Sequence, residues 1–263
     1  MRAWVAGLGD QDRSGESARI LAQLLLGERV LVDEIEGDWV KAVALDQPSS
    51  QDPRGYPGWL HADHLTSDTV PADGSELVVD ATATAVRDAP FGDILLYGVT
   101  IGTRLVGVDM AYRGWTQVFV PGHEEPGWVR TADLTQAPDG SATAEDVLAV
   151  AERIIDAPYV WGGMSAYGVD CSGLVHLACR RHGVTLPRDA HDQAEATKEI
   201  SLEDAAPGDL YFFARPGEPI HHVGFVAGER RMVHASLDHH RVVLEPLEGE
   251  RADTLTGARR VLS

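Results

Sequence analysis

Cysteine is scarce in this 263-residue chain, which has only Cys171 and Cys179. Eight positions apart on one predicted helix, the two would stand about 12 Å apart along its axis, beyond disulfide reach. A disulfide scaffold is excluded, and two free thiols suit a reducing compartment. Positive charge is also scarce: 22 Lys and Arg face 41 Asp and Glu, a formal net charge of −19. Such a surface repels phosphate backbones and anionic membranes, so neither nucleic acid nor a membrane is an expected partner. A cationic or amine-bearing substrate fits it better. No run approaches the roughly 18 apolar residues of a membrane span. The start, MRAWVAGLGDQDRSGES, lacks the apolar stretch of a secretory leader. A cytoplasmic protein is expected; the alternative is a secreted one whose leader precedes the residues given. Apolar residues at 44% and charged residues at 24% are globular proportions, and the length allows two or three compact domains.

What is present begins with a degenerate repeat. GERVLVDEIEGDWVKAVALDQPSSQDPRGYPGWLHADHLT (27–66) matches GTRLVGVDMAYRGWTQVFVPGHEEPGWVRTADLT (102–135). Trp39 corresponds to Trp115, Trp59 to Trp128 and Leu65 to Leu134. The first copy carries seven extra residues between its tryptophans, in the Pro/Ser/Gly-rich loop 46–58. Short alternating runs punctuated by Gly and Pro predict small β-barrels. The pattern resembles tandem bacterial SH3-like (SH3b) domains, here expected over 1–69 and 70–137.

After the linker TQAPDGSAT, the run TAEDVLAVAERIID opens with a Thr cap and a carboxylate three residues on. Val147, Leu148, Ala151, Ile154 and Ile155 form its apolar stripe. A second helix is predicted from Cys171, with Leu174, Val175 and Ala178 on one face and Gly183 as its stop. A third starts near Asp189. The runs DLYFF, HHVGFVA, RMVHAS and RVVLEP read as strands. Helices first and an antiparallel meander after them is an α+β order, expected as one domain over 138–263.

Cys171 lies on the core-facing stripe of its helix and in the first turn. Free backbone N–H groups and the helix dipole favour a thiolate there; a small core hydrophobe is the plain alternative. His222 and His234 tip the balance, since both interrupt otherwise apolar strands. They share a face only if the connecting loop has an odd residue count or the pairing carries a bulge. A three-residue loop, Gly228-Glu229-Arg230, pairs Gly224 with His234 and sets His234 diagonal to His222. Thiol, base and a group orienting the base make the arrangement for nucleophilic acyl transfer. A metal site is the competing account. No Cys-x-x-Cys or His-Glu-x-x-His spacing exists, and His221 and His222 point to opposite strand faces, so no metal or other cofactor is expected.

APYVWGGMSAYGVDCSG (157–173), PGDLYFF (207–213), HHVGFV (221–226) and MVHAS (232–236) together resemble the NlpC/P60 family of cysteine peptidases, with a reduced papain-like core. The resemblance implies a Cys–His–His triad at Cys171, His222 and His234, with Tyr159 and the Cys171 backbone N–H stabilising the oxyanion. The implied fold is α+β, a papain-like NlpC/P60 domain preceded by two small SH3-like β-barrels. The implied activity is hydrolysis of the γ-D-Glu–L-diamino acid bond in murein peptides with a free N-terminal L-Ala, in wall-peptide recycling. A secreted hydrolase of intact peptidoglycan is the alternative, and a monomer is expected. DPRGYPGWL (52–60) matches the loop that supplies a tyrosine to the substrate pocket, here Tyr56; an ordinary surface loop is the other reading.

A free ammonium calls for carboxylates at the closed end of a groove. Asp170 and Asp189 are the candidates in the catalytic domain, and Glu16 is a further one in the first barrel. Each Asp also suits a helix N-cap. Trp161 and Ser172 match positions lining the same subsite, with Trp161 as wall or core. The chain departs from the family's usual Arg-Asp-Ser at 188–190, reading RDA, so Ala190 supplies no hydroxyl.

Overall fold

The computed structural model describes residues 2–15, 17, 19–68, 70–71 and 73–262. Two short helices, α1 (Arg2–Gly7) and α2 (Asp10–Ser14), lead into β1 (Val30–Glu36), β2 (Trp39–Ala44) and β3 (Tyr56–His61). These strands form a three-stranded antiparallel sheet in the order β1-β2-β3. Seven more follow: β4 (Ser75–Val79), β5 (Ala83–Arg87), β6 (Ile94–Thr100), β7 (Arg104–Tyr112), β8 (Trp115–Val118), β9 (Gly127–Arg130) and β10 (Leu134–Gln136). Their order is β10-β4-β7-β8-β9-β5-β6.

The sequence repeat is a repeat of register. Lys41 pairs with Trp59 and Gln117 with Trp128, each two residues past the first tryptophan of its copy. Both copies then enter a single 3-10 turn, Ala62–His64 and Thr131–Asp133. The expected SH3-like barrels are not what these strands build. Three strands are too few to enclose an interior. In the larger sheet β5 meets β9 through one pair, Arg87 with Trp128, and the outermost β10 and β6 do not meet. Neither sheet closes. Burial differs accordingly: Trp39 and Trp59 are exposed, whereas Trp115 and Trp128 are buried. Phe91 packs edge-on to Trp115 at 5.5 Å, and Arg87 and Arg130 lie over its ring.

The C-terminal part begins with α3 (Ala144–Arg153), whose capping box is complete. The Asp146 N–H donates to the Thr143 hydroxyl at 3.2 Å, and the Thr143 N–H donates to the Asp146 carboxylate at 2.8 Å. Val147, Leu148, Ala151 and Ile154 are buried as the stripe predicts, but Ile155 is 36% exposed, just past the helix end. A short hairpin, β11 (Met164–Ser165) with β12 (Gly168–Val169), leads to α4 (Cys171–Arg181). Gly183 follows α4 at φ 78°, a left-handed stop.

An amphipathic α4 was expected, yet every residue from Cys171 to Arg180 is buried. The core around it holds Val147 and Ala151 of α3, Phe225 and Val233 of the sheet, and Leu25 and Ile101 from the N-terminal half. Its polar members are paired. His176 Nδ1 meets the Leu186 carbonyl at 2.8 Å, and Arg180 meets Glu28 at 3.1 Å.

After α5 (Ala190–Ala196) come β13 (Lys198–Ile200), β14 (Leu210–Phe213), β15 (His222–Val226), β16 (Arg231–Ser236), β17 (Arg241–Pro246), α6 (Gly249–Asp253) and β18 (Leu255–Arg260). They form one six-stranded sheet, β13-β18-β14-β15-β16-β17. The meander from β14 to β17 follows the sequence reading. β13 and the polar, Gly-containing β18 carry too little apolar alternation to be read from sequence. Among the described residues no helix is long and apolar enough to cross a membrane.

Candidate active site

Asp170 is the N-cap of α4, its carboxylate accepting the Gly173 N–H at 2.7 Å. This makes Cys171 the first helical residue, whose own N–H has no intrahelical partner. The N–H groups of Ser172 and Val223 are directed at its sulfur and favour the thiolate, but burial outweighs them and pushes the thiol up to about 12. Cys171 is thus a neutral thiol, which needs a base to become a nucleophile.

A candidate base is brought by register. Phe225 pairs with Val233 and Val226 with Met232, across the three-residue loop Gly228-Glu229-Arg230. Gly224 thereby falls opposite His234, and a Cβ added at Gly224 would stand 2.8 Å from that of His234. A side chain here would push the two strands apart. The diagonal step sets His222 Nε2 at 2.8 Å from His234 Nδ1 with the rings edge-on, 4.9 Å between centroids. Since Nε2 of His222 is taken by His234, Nδ1 is the nitrogen left for Cys171, whose sulfur meets the N–H of Val223, the next residue. Burial holds His222 well below the ordinary histidine value, with His234 beside it adding to the effect. Burial also lowers His234, against the opposing hydrogen bond that its imidazole donates to Glu245. Both imidazoles are neutral at pH 7, the state a general base needs.

Tyr159 is buried in the same core, held by its N–H to the His240 carbonyl at 2.8 Å. Burial raises its phenol, and the proximity of Cys171 and Asp170 raises it further, so it is a hydrogen-bond donor at neutral pH.

The cation beside Asp170 is internal. Arg188, fully buried, forks onto both carboxylate oxygens at 3.0 and 2.8 Å, and also donates to the Ser172 hydroxyl at 3.0 Å and the Gly163 carbonyl at 3.3 Å. The Gly162 N–H adds a bond to Asp170 at 2.7 Å. The carboxylate expected to face a substrate ammonium is thus engaged by Arg188 and two backbone donors. Ser172 is buried against the same pair, 3.3 Å from Asp170. Arg188 offsets only part of the negative charge of Asp170, which after burial is the main influence that raises the Cys171 thiol.

Asp189 differs. It occupies the N-cap position of α5 but makes no side-chain cap bond. Its carboxylate takes the Tyr56 hydroxyl at 3.4 Å and Gln51 at 3.5 Å, both long. Burial raises Asp189 above the usual carboxylate range, although Arg188 lies close. Burial, and then Asp189, pushes Tyr56 up to about 12. The contact is made by loop 46–58, the insertion that distinguishes the first repeat copy. Its Pro48 carbonyl accepts the Arg188 N–H at 2.9 Å, and its Ser50 N–H donates to Asp192 at 2.8 Å.

Trp161 is 42% exposed and so lies outside the core. Its N–H donates to the Arg13 carbonyl at 3.0 Å, and its ring lies directly beneath Gly15. Glu16 lies outside the described residues. Among the described residues no three His, Cys, Asp or Glu side chains are gathered to hold a metal.

Sequence reasoning missed two participants. Arg188 stands next to Asp189 in PRDA, but nothing local aims it at Asp170. Glu245 accepts from His234 Nε2 at 2.8 Å and from His239 Nε2 at 3.0 Å. The register that joins the histidines also places Glu245 diagonal to His234, so it was within reach of the same count.

Several known proteins are similar to this chain. A model of the NlpC/P60 family matches residues 156–260. The chain is 34% identical over 240 residues to a γ-D-glutamyl-L-lysine dipeptidyl-peptidase of Bacillus subtilis, covering 89% of this chain and 79% of that one. It is 31% identical to a protein of the same name from Bacillus cereus, covering 93% and 76%. The crystal structure of an NlpC/P60 family protein from Bacillus cereus superposes with a TM-score of 0.89 at 27% identity, covering 100% of this chain and 89% of that one. A thiol at a helix start, an imidazole pair on the facing strands and a fold shared along the whole length lead to one assignment: this chain belongs to the NlpC/P60 family of cysteine peptidases.

Proposed function

We propose that this protein hydrolyses the γ-D-Glu–L-diamino acid bond of murein peptides bearing a free N-terminal L-Ala, with Cys171 as nucleophile. The observation that carries the reading is the 2.8 Å contact between His222 and His234 across a strand whose next N–H meets the Cys171 sulfur. His222 takes the thiol proton as sulfur attacks the scissile carbonyl. The resulting oxyanion is stabilised by the Cys171 N–H and the Tyr159 hydroxyl. The His222 imidazolium then protonates the departing diamino-acid nitrogen, leaving a thioester on Cys171. Water, deprotonated by His222, attacks the thioester, releasing the L-Ala-D-Glu acid and restoring the thiol.

Asp189 and Tyr56 receive the L-Ala ammonium. A half-buried carboxylate with only long hydrogen bonds gains most from a cation. Asp170 and Ser172 support this subsite through Arg188, and Trp161 forms its opposite wall. Loop 46–58 reaches Asp189 through Tyr56 and Gln51; a binding site ended there favours a released wall peptide over intact polymer, and hence a cytoplasmic recycling role. Ala190 leaves that end one hydroxyl short of the family pattern.

Mass spectrometry of products from L-Ala-γ-D-Glu-L-Lys and its diaminopimelate counterpart, each with a free or acetylated amine, tests the proposal. The free-amine peptides release the L-Ala-D-Glu dipeptide, acetylation suppresses cleavage, and Cys171→Ala lowers the rate by about 10⁴ or more. Unchanged hydrolysis by Cys171→Ala would remove Cys171 as nucleophile. Activity confined to intact sacculi would replace the recycling role with that of a secreted wall hydrolase.

A further inference from the structure

The line of imidazoles does not end at His234. β16 and β17 pair His234 with Val243, so Glu245, two residues on, lies on the same face and diagonal to His234. The geometry is the His222–His234 step repeated one strand further. Glu245 Oε1 stands 2.8 Å from His234 Nε2, an atom of a side chain with no exposure at all. We propose that Glu245 is a positioning residue that sets the tautomers of both imidazoles and so decides which nitrogen of His222 is the base.

The argument is one of hydrogen counting. An ionised carboxylate only accepts, so His234 Nε2 must carry a hydrogen. A neutral His234 then has a lone pair at Nδ1, which obliges His222 to donate from Nε2. A neutral His222 is left with its lone pair at Nδ1, the nitrogen not occupied by His234. Without Glu245 the opposite order is equally allowed: His234 donates from Nδ1 and His222 carries its hydrogen at Nδ1, where it can take no proton from the thiol. The anion therefore selects the productive order.

Glu245 keeps its charge because its hydrogen bond to His234 holds the carboxyl below the usual range. Its second oxygen meets His239, an exposed side chain in the turn between β16 and β17. The other ionisable groups around the imidazole pair are Cys171 on α4, His221 beside His222, and Arg251 of α6, which is bonded to Asp238 at 3.1 Å. Arg251 opposes protonation of the pair, and Glu245 is the anion that favours it. An ordinary surface ion pair would contribute almost nothing. The fully buried partner is what distinguishes this one.

The kinetic consequence rests on the peptidase reading above; the tautomer order does not. Nitrogen-15 histidine NMR of the full chain at pH 7.5 tests the order directly. Hydrogen on Nε2 of both His222 and His234 is expected, and hydrogen on His222 Nδ1 would overturn the proposal whatever the enzyme cleaves. With the tripeptide substrate, Glu245→Gln is expected to lower kcat about tenfold or more at unchanged KM. The acid limb of its pH profile moves to lower pH, because the imidazolium loses its anion, and Glu245→Asp moves that limb back toward wild type. Wild-type kcat and an unshifted acid limb in Glu245→Gln would sink the proposal while leaving Cys171 as nucleophile. Should Glu245→Gln fail to fold, the wild-type spectrum alone decides.

Discussion

Arg188 is the residue whose loss has the most calculable consequence. Its guanidinium is fully buried and makes four hydrogen bonds, two of them to Asp170. Arg188→Met fills similar volume but leaves the Asp170 carboxylate with only backbone donors and Ser172. Breaking a buried pair from one side costs about 3–5 kcal/mol, because a charge is stranded away from water. The N-cap bond of Asp170 to α4 is worth about 1 kcal/mol and cannot compensate. For a chain of this size the loss lowers Tm by roughly 6–20 °C. Arg188→Lys recovers only part of this, since an ammonium cannot fork onto both oxygens. Urea unfolding of Arg188→Met, Asp170→Asn and the double variant forms the cycle that isolates the pair. The double variant is expected to be more stable than the sum of the single losses by about 2 kcal/mol. A cost below about 1 kcal/mol for Arg188→Met, or strictly additive losses, would refute the view that this pair anchors the start of α4.

Acid stability follows His176, which is buried and lowered to about 3, first by burial and then by Arg188 and Arg180. The unfolded chain titrates this residue near about 6.5, so between those values the unfolded state binds the extra proton. Stability is full above that window and falls as the pH falls through it, by about 2–3 kcal/mol at pH 4.5. Comparing urea midpoints of wild type and His176→Gln at pH 7 and 4.5 checks it, and an unchanged pH slope in the variant would contradict it. Gly15 has φ 86°, and a Cβ there would come within 2.3 Å of the Trp161 ring. Gly15→Ala should therefore break the Arg13–Trp161 backbone contact, seen as faster hydrogen exchange at the Trp161 amide; unchanged protection would show that the ring yields freely.

The elements that were legible were those whose signal is local. The Thr143 capping box, the α4 start at Cys171 and the meander from β14 to β17 each follow from a cap, a stripe or an alternation within about ten residues. The imidazole pair was legible too, because an odd loop admits only one facing. Closure of the N-terminal sheets was not, since it depends on whether distant edges meet; β5 and β9 share a single pair, and no residue nearby announces that. The pairing of Asp170 with Arg188 was not legible for the same reason. Arg188 lies eighteen positions away and is turned inward by burial, not by any motif.

The chain order of residues determined the Cys171 thiol's place at a helix start, the spacing that brings His222 to His234, and the repeated register of the two Trp-bearing copies. These depend on periods of 2 and 3.6 that any neighbouring stretch must obey. Tertiary structure alone decided that loop 46–58 reaches Asp189, that Arg188 pairs with Asp170, and that α4 is buried all round. Such pairings join segments far apart in the chain, where sequence periodicity carries no information and burial decides which charges must find each other.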